Sequence, residues 1–88
     1  MEITFDPNKA ASNYRKHGIR FSDAESVLFD PMALTREDSD AEGEQRFTSI
    51  GVDATGRLLV VIFSYRGEGI RLISARAATA KEREYYES

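Results

Sequence analysis

The sequence predicts an α+β fold, with two N-terminal helices, a mainly antiparallel β-sheet of about four strands, and a short C-terminal helix. Three observations predict it. Residues 57 to 66 are apolar on both parities, with Leu58, Val60 and Ile62 on one face and Leu59, Val61, Phe63 and Tyr65 on the other. A strand of that kind needs cover on both faces and belongs at the centre of its sheet. Gly67 and Gly69 flank Glu68 in a connection that returns the chain through residues 69 to 76, both glycines being expected to supply the positive φ of a tight reversal. Helix-start signals stand before and after this hairpin.

In chain order, residues 2 to 5 suit a short edge strand. Asp6 then offers an N-cap carboxylate and Pro7 fits the first helical position, which starts a helix over about 7 to 17 ended by Gly18 in the left-handed region. Ala10, Asn13, Tyr14 and His17 share one face of it, Lys9, Ser12 and Lys16 look outward, and Lys16 and His17 complement the dipole of the last turn. Ile19 and Phe21 bridge to a second helix, opened by a Ser22–Glu25 capping box, carrying Ala24, Val27 and Leu28 as its apolar stripe, and stopped by Asp30-Pro31. Residues 32 to 35 read as a strand and 36 to 44 as an acidic loop. A further strand over 45 to 52 leads through Asp53-Ala-Thr-Gly56 into the central strand. On strict alternation the last strand puts Ile70, Leu72 and Ser74 on one face with Arg76, and Arg71, Ile73 and Ala75 on the other. Arginines on a half-buried strand need partners. Thr79 and Glu82 form a second capping box, opening a final helix through about Tyr86.

The 88 residues make one domain, residues 1–88, of ordinary soluble composition, 41% hydrophobic and 31% charged. No apolar run reaches the roughly 20 residues that span a bilayer, and the N-terminus lacks a signal-peptide pattern, so the expected location is cytoplasmic. Absence of cysteine excludes disulfides, thiolate nucleophiles and sulfur-based zinc sites, and a lone histidine excludes a multi-histidine metal site. The net charge of −3 is concentrated: Glu37, Asp38, Asp40, Glu42 and Glu44 supply five of 15 acidic residues, leaving 12 basic against 10 acidic elsewhere. Asp38-Ser-Asp40-Ala-Glu42 lacks the glycine and terminal glutamate of an EF-hand loop and reads as a solvated or partner-facing loop.

The remaining chemistry lies in Arg15, Lys16, His17, Glu44, Arg46, Arg57, Arg66, Arg71 and Arg76. Guanidinium groups gathered on one sheet face would hold phosphate oxygens with fork geometry. RNA brings its own nucleophile, the 2′-OH, so cleavage needs a base, cations for the phosphorane and an acid for the leaving 5′-oxygen. Against this, His17 alone reads as a satisfied helix-end residue. Arg71 and Arg76 fit equally as structural partners of Glu44, Glu82 or helix carboxylates, Arg15, Arg57 and Arg66 as solvated charges, and Tyr14, Tyr85 and Tyr86 as core or rim aromatics, with stacking on a base as the alternative for a tyrosine.

An ordered set of motifs goes further. Phe5-Asp6-Pro7-Asn8-Lys9, the run from Asn13 to Phe21, Phe29-Asp30-Pro31, Glu44-Gln45-Arg46-Phe47, Ile50-Gly51 and Arg71-Leu-Ile-Ser-Ala-Arg76 with Thr79, Glu82 and Tyr86 resemble the BrnT family of bacterial toxins. The resemblance covers nearly the whole chain, with Phe5 standing where many relatives carry Trp. It implies a RelE-like fold and a metal-independent endoribonuclease, without cofactor, that arrests growth by cutting RNA. It implies a BrnA-type ribbon-helix-helix antitoxin in a 2:2 assembly that represses its own operon, contact with DNA only through that antitoxin, and no membrane association. Carried onto this chain, the site is Lys16, His17, Glu44, Arg46, Arg71 and Arg76, with Glu44 or His17 as general base and the arginines on the phosphate. The competing expectation is a catalytically inactive module that binds the antitoxin. Direct DNA binding ranks below both, because no helix carries a basic reading face.

Overall fold

A computed structural model describes residues 2–38 and 45–88. Strand β1 (Ile3–Thr4) leads into helix α1 (Pro7–His17), then a short helix α2 (Phe21–Ala24) that tightens into a 3-10 helix (Glu25–Phe29). Strands β2 (Leu34–Asp38), β3 (Arg46–Val52), β4 (Leu58–Arg66) and β5 (Gly69–Ala77) follow, and helix α3 (Ala80–Glu87) closes the chain. The sheet has five strands in the order β1-β5-β4-β3-β2, antiparallel throughout except for β1 beside β5. The apolar strand β4 sits at the centre, as its double-sided hydrophobicity requires.

Helix α1 has the expected bounds because both ends are chemically marked. The Asp6 carboxylate accepts from Asn8 N–H at 2.8 Å, Pro7 occupies the first turn, and Gly18 takes φ 72° to end it. The second helix differs from expectation. It begins at Phe21 with Arg20 at the cap and no side-chain capping bond, so the Ser22–Glu25 box does not form; Ser26 Oγ donates to Asp23 O instead. Burial of Phe21, 2% exposed, decides the helix start over the local capping pattern.

One face of the sheet carries the core. Leu59, Val61 and Phe63 of β4 and Ile70, Leu72 and Ala75 of β5 pack against Ile19, Phe21, Ala24 and Val27 from the α1–α2 segment. Asn13 locks α1 to the outer edge of β5, where among the described residues no strand pairs beyond Arg71. Its amide donates to Ala75 O (2.8 Å) and Ile19 O (3.2 Å) and accepts from Ala75 N–H (3.1 Å), satisfying the edge backbone as a strand would. On the opposite face Leu58 and Val60 are also buried, on the side crossed by α3.

The β4–β5 hairpin corrects two expectations. Only Gly67 has positive φ (59°); Gly69 is required for another reason, since a Cβ there would lie 2.6 Å from the Glu2 carbonyl oxygen. The second correction concerns the faces of β5. The register slips between Ile62 and Phe63: Ile62 pairs with Ser74 but Phe63 with Leu72, leaving Ile73 as a bulge residue. Past the bulge, Ala75 rejoins Leu72 and Ile70 in the core, and Arg76 and Ser74 share the other face with Arg71. Strict alternation had separated the two arginines; the inserted residue unites them. Strand β2 also runs further than expected, through Asp38, so Arg36 lies in a strand rather than a loop.

Replacing Asn13 by Ala removes three buried hydrogen bonds and leaves the Ala75 edge unsatisfied. We expect a loss of about 2–4 kcal/mol in urea unfolding; a change below about 0.5 kcal/mol would show that α1 docks without this amide.

Candidate active site

Every arginine that lies in a strand projects from the face opposite the core. The pairing register sets this out in rows across β2 to β5. Arg36, Thr48, Ile62 and Ser74 form one row, and Leu34, Ile50, Val60 and Arg76 the next. Asp38 stands opposite Arg46 and Ser64 opposite Arg71; continuing the β3–β4 ladder by one residue puts Arg46 beside Ser64. Arg66, opposite Gly69, ends the same parity of β4. Arg46 and Arg71 thus flank the buried Ser64, two strand spacings or about 10 Å apart at their backbones. Side chains of that length can reach a common anion between them. Arg76 lies four residues along the ladder, roughly 13 Å away.

Among the described residues Arg46 Nε is buried with no hydrogen-bond partner. Such orphaned donors are scarce in folded proteins and call for an explanation, which an incoming acceptor supplies. Arg76 is differently placed. Its two terminal nitrogens donate to the two Glu82 oxygens, each at 2.8 Å, and Glu82 also accepts from Thr79 N–H at 2.9 Å in the capping box. The Arg76 guanidinium, ahead of the Thr79 backbone, holds the Glu82 carboxyl down at about 2 against burial. Arg76 therefore enters the site as one half of an ion pair, the structural alternative open from the sequence.

The other candidates fall elsewhere. Lys16 and His17 come together, with Lys9, Ser12 and Asn13, around a separate shallow hollow at the outer edge of β5 that meets the arginine face at Ser74. The docking of α1 through Asn13 dictates this position. Glu44 lies outside the described residues. Arg57, expected to be solvated, instead bonds Asp53 at 2.8 Å and Asp23 at 3.2 Å, while the Asp53 carboxylate collects Thr55 and Arg57 donors and organises the β3–β4 turn.

The face is partly roofed by α3, none of whose residues is buried. Polar clasps fix it at both ends: Arg76–Glu82 at its start, and at its end Tyr86 O–H donating to Asp30 at 2.6 Å. Asp30 also accepts from Val52 N–H (2.9 Å) and Met32 N–H (2.9 Å). The Tyr86 hydroxyl first, then these amides, hold its pKa below the ordinary carboxylate value. Between β2, the sheet face and α3 lies a hollow of about 400 Å³ lined by Arg36 and Arg76, by the carboxylates Glu37, Asp38 and Glu82, and by Thr48, Val60 and Ile62. Sequence reasoning missed Arg36, hidden in what read as a loop, and Asp30, which read only as a helix stop.

A sheet that sends guanidinium groups from four strands to one face offers the fork geometry that phosphate oxygens accept. Residues 5–82 match the family model of the BrnT ribonuclease toxin of type II toxin–antitoxin systems, and the chain belongs to that family. It is similar to the crystal structure of the Brucella abortus ribonuclease toxin BrnT, at 32% identity and TM-score 0.71, over 90% of this chain and 97% of that one. A comparison with curated proteins gave no match. Among the described residues no helix is long and apolar enough to cross a membrane.

The Glu82 pair has a pH signature. A carboxyl whose pKa falls on folding, from 4.5 to about 2, contributes fully above 4.5 and loses its contribution as pH drops toward 2. Glu82→Gln should destabilise the protein by about 1 kcal/mol at pH 7, with the gap to wild type closing between pH 4.5 and 2 in thermal melts. A gap that stays constant down to pH 2 would contradict the assignment.

Proposed function

We propose that this ribonuclease toxin is an endoribonuclease that cuts RNA by internal transesterification and needs no metal to do so. The 2′-oxygen attacks the adjacent phosphorus, the P–O5′ bond breaks, and the products are a 2′,3′-cyclic phosphate and a free 5′-hydroxyl. The proton lost from the 2′-OH goes to a general base and one is returned to the leaving 5′-oxygen. Arg46 and Arg71 bind the scissile phosphate from both sides of Ser64 and stabilise the charge that builds on the phosphorane, with Arg36 contacting a flanking phosphate. Arg76 acts through its pair with Glu82, orienting the start of α3 against the hollow. Glu44 or His17 serves as the base, His17 and Lys16 approaching from the β5 edge. The observation that carries this reading is the emergence of Arg36, Arg46, Arg66, Arg71 and Arg76 on one face, with Arg46 Nε buried and, among the described residues, without a hydrogen-bond partner.

By the same reading the toxin inhibits translation by cutting RNA in the cytoplasm. Its antitoxin is a BrnA-type ribbon-helix-helix protein that neutralises it in a 2:2 complex and carries the DNA contacts. The acidic stretch 37 to 44 supplies charge for a basic antitoxin segment and explains why the chain is acidic overall despite an RNA substrate.

The purified chain should cleave RNA in the presence of chelator. Arg46→Ala and Arg71→Ala should each lower the rate about 10²-fold or more, as loss of one preorganised charge-stabilising donor does, while Arg57→Ala, far along in the β3–β4 turn, changes only stability. If wild-type protein leaves RNA intact both alone and in a translating extract, the chain is a binding module and the catalytic reading is wrong.

A further inference from the structure

A second concavity adjoins the charged hollow and shares Arg36, Thr48 and Glu82 with it. It is a groove of about 200 Å³ between β2 and α3, smaller than the roughly 300–1,000 Å³ of pockets for drug-sized ligands, and its walls are Leu34, Ile50 and the Tyr85 ring. Lys81 stands at its rim. Tyr85 is 58% exposed and stacks on no other ring among the described residues, unlike Phe47, Phe63 and Tyr65, which form an aromatic cluster on the core face. The helix that carries it is nonetheless held in place, because Tyr85 lies between the two clasped residues of α3, Glu82 and Tyr86.

We infer that this groove is a nucleobase subsite, in which Tyr85 stacks on the base of a nucleotide whose phosphate meets Arg36, the residue shared by the groove and the adjoining hollow. The inference rests on the ribonuclease reading and extends it to where the substrate's base goes. A nucleotide combines a flat apolar ring with an anion a sugar's length away, and here an apolar slot with one exposed ring has the Arg36 guanidinium at its junction with the hollow, where Arg76 is already paired with Glu82. The slot accepts one planar ring system and is too small for the apolar face of a helix. Its polar fittings suit a base edge: the Thr48 hydroxyl both donates and accepts, and a Glu82 oxygen accepts from an exocyclic amine. Lys81 at the rim matches the next phosphate. Stacking on an aromatic ring tolerates any base, because every base has a π-face.

The test uses short oligonucleotides with 2′-O-methyl sugars, which bind but cannot be cut, each carrying one abasic position. Binding is followed by fluorescence anisotropy with wild type, Tyr85→Ala and Tyr85→Phe, and cleavage of the matching unmodified RNA is measured in parallel. For wild type and Tyr85→Phe, one abasic position should weaken binding about tenfold or more, the usual scale for losing a stacked base. Tyr85→Ala should bind the intact strand that much more weakly and be indifferent to the abasic position. If every abasic strand binds like the intact one, if Tyr85→Ala keeps the wild-type discrimination, or if no strand binds, the subsite is wrong and the groove is left to a protein partner. The two readings separate cleanly. Cleavage that ignores Tyr85 and the abasic position overturns the subsite alone, and discrimination in binding without any cleavage overturns the catalytic reading alone.

Discussion

One extra residue in β5 organises this molecule. The slip between Ile62–Ser74 and Phe63–Leu72 lets a single strand serve two masters: Ile70, Leu72 and Ala75 all enter the core, and Arg71 and Arg76 both leave it. Without the bulge at Ile73, a period of two would drive one of these sets to the wrong side. Either an arginine would be buried among Val61, Phe63 and Ala24, or Ala75 would lose its place against α1. Asn13 secures the arrangement from outside, bonding both backbone groups of Ala75 just past the bulge. Bulges recur beside functional sites because they re-aim side chains without dismantling the sheet.

The two faces of the sheet are held by different physics. The core face relies on burial of apolar surface between the α1–α2 segment and β4–β5, which is non-directional and robust. The arginine face carries α3, a helix with no buried residue, and depends on directional polar bonds from Arg76, Thr79, Asp30 and Tyr86. Asp30 ties three pieces together, the end of the 3-10 helix, β3 and α3, and Gly51 beside it leaves room: a Cβ there would stand 3.1 Å from the Asp30 carboxylate. The roof over the hollow is thus made of hydrogen bonds and one ion pair.

Much of this was legible in the residues. Helix α1 was bounded correctly because Asp6, Pro7 and Gly18 are local signals with local causes, and Thr79–Glu82 marked α3 for the same reason. The apolar run of β4 announced a central strand. What was missed depends on contacts distant in sequence. The bulge leaves no mark in the alternation of side chains, so Arg71 and Arg76 were assigned to opposite faces. Ser22–Glu25 imitated a capping box that burial of Phe21 overrides. Arg36-Glu-Asp38 looked like loop because it is charged, although the register with Arg46, Phe47 and Thr48 makes it strand. Asp30 and Arg57 are ordinary turn residues until their partners 22 to 56 residues away are known, namely Val52 and Tyr86 for Asp30 and Asp23 for Arg57. The six candidate site residues divide accordingly: three arginines share a face, Lys16 and His17 border its edge, and Glu44 lies outside the described residues.

The family match makes the chain a ribonuclease toxin, and the location of its chemistry on the arginine face is our proposal. The central claim is that Arg46 and Arg71 address one phosphate from either side of Ser64. Titration of the protein with a 2′-O-methyl oligonucleotide, read through the Nε–H resonances of its arginines by NMR, tests it most directly. The account predicts that Arg46 and Arg71 shift together along one saturation curve while Arg57, tied to Asp53 and Asp23, stays still. Shifts confined to other arginines, with Arg46 and Arg71 unmoved at saturation, would contradict it.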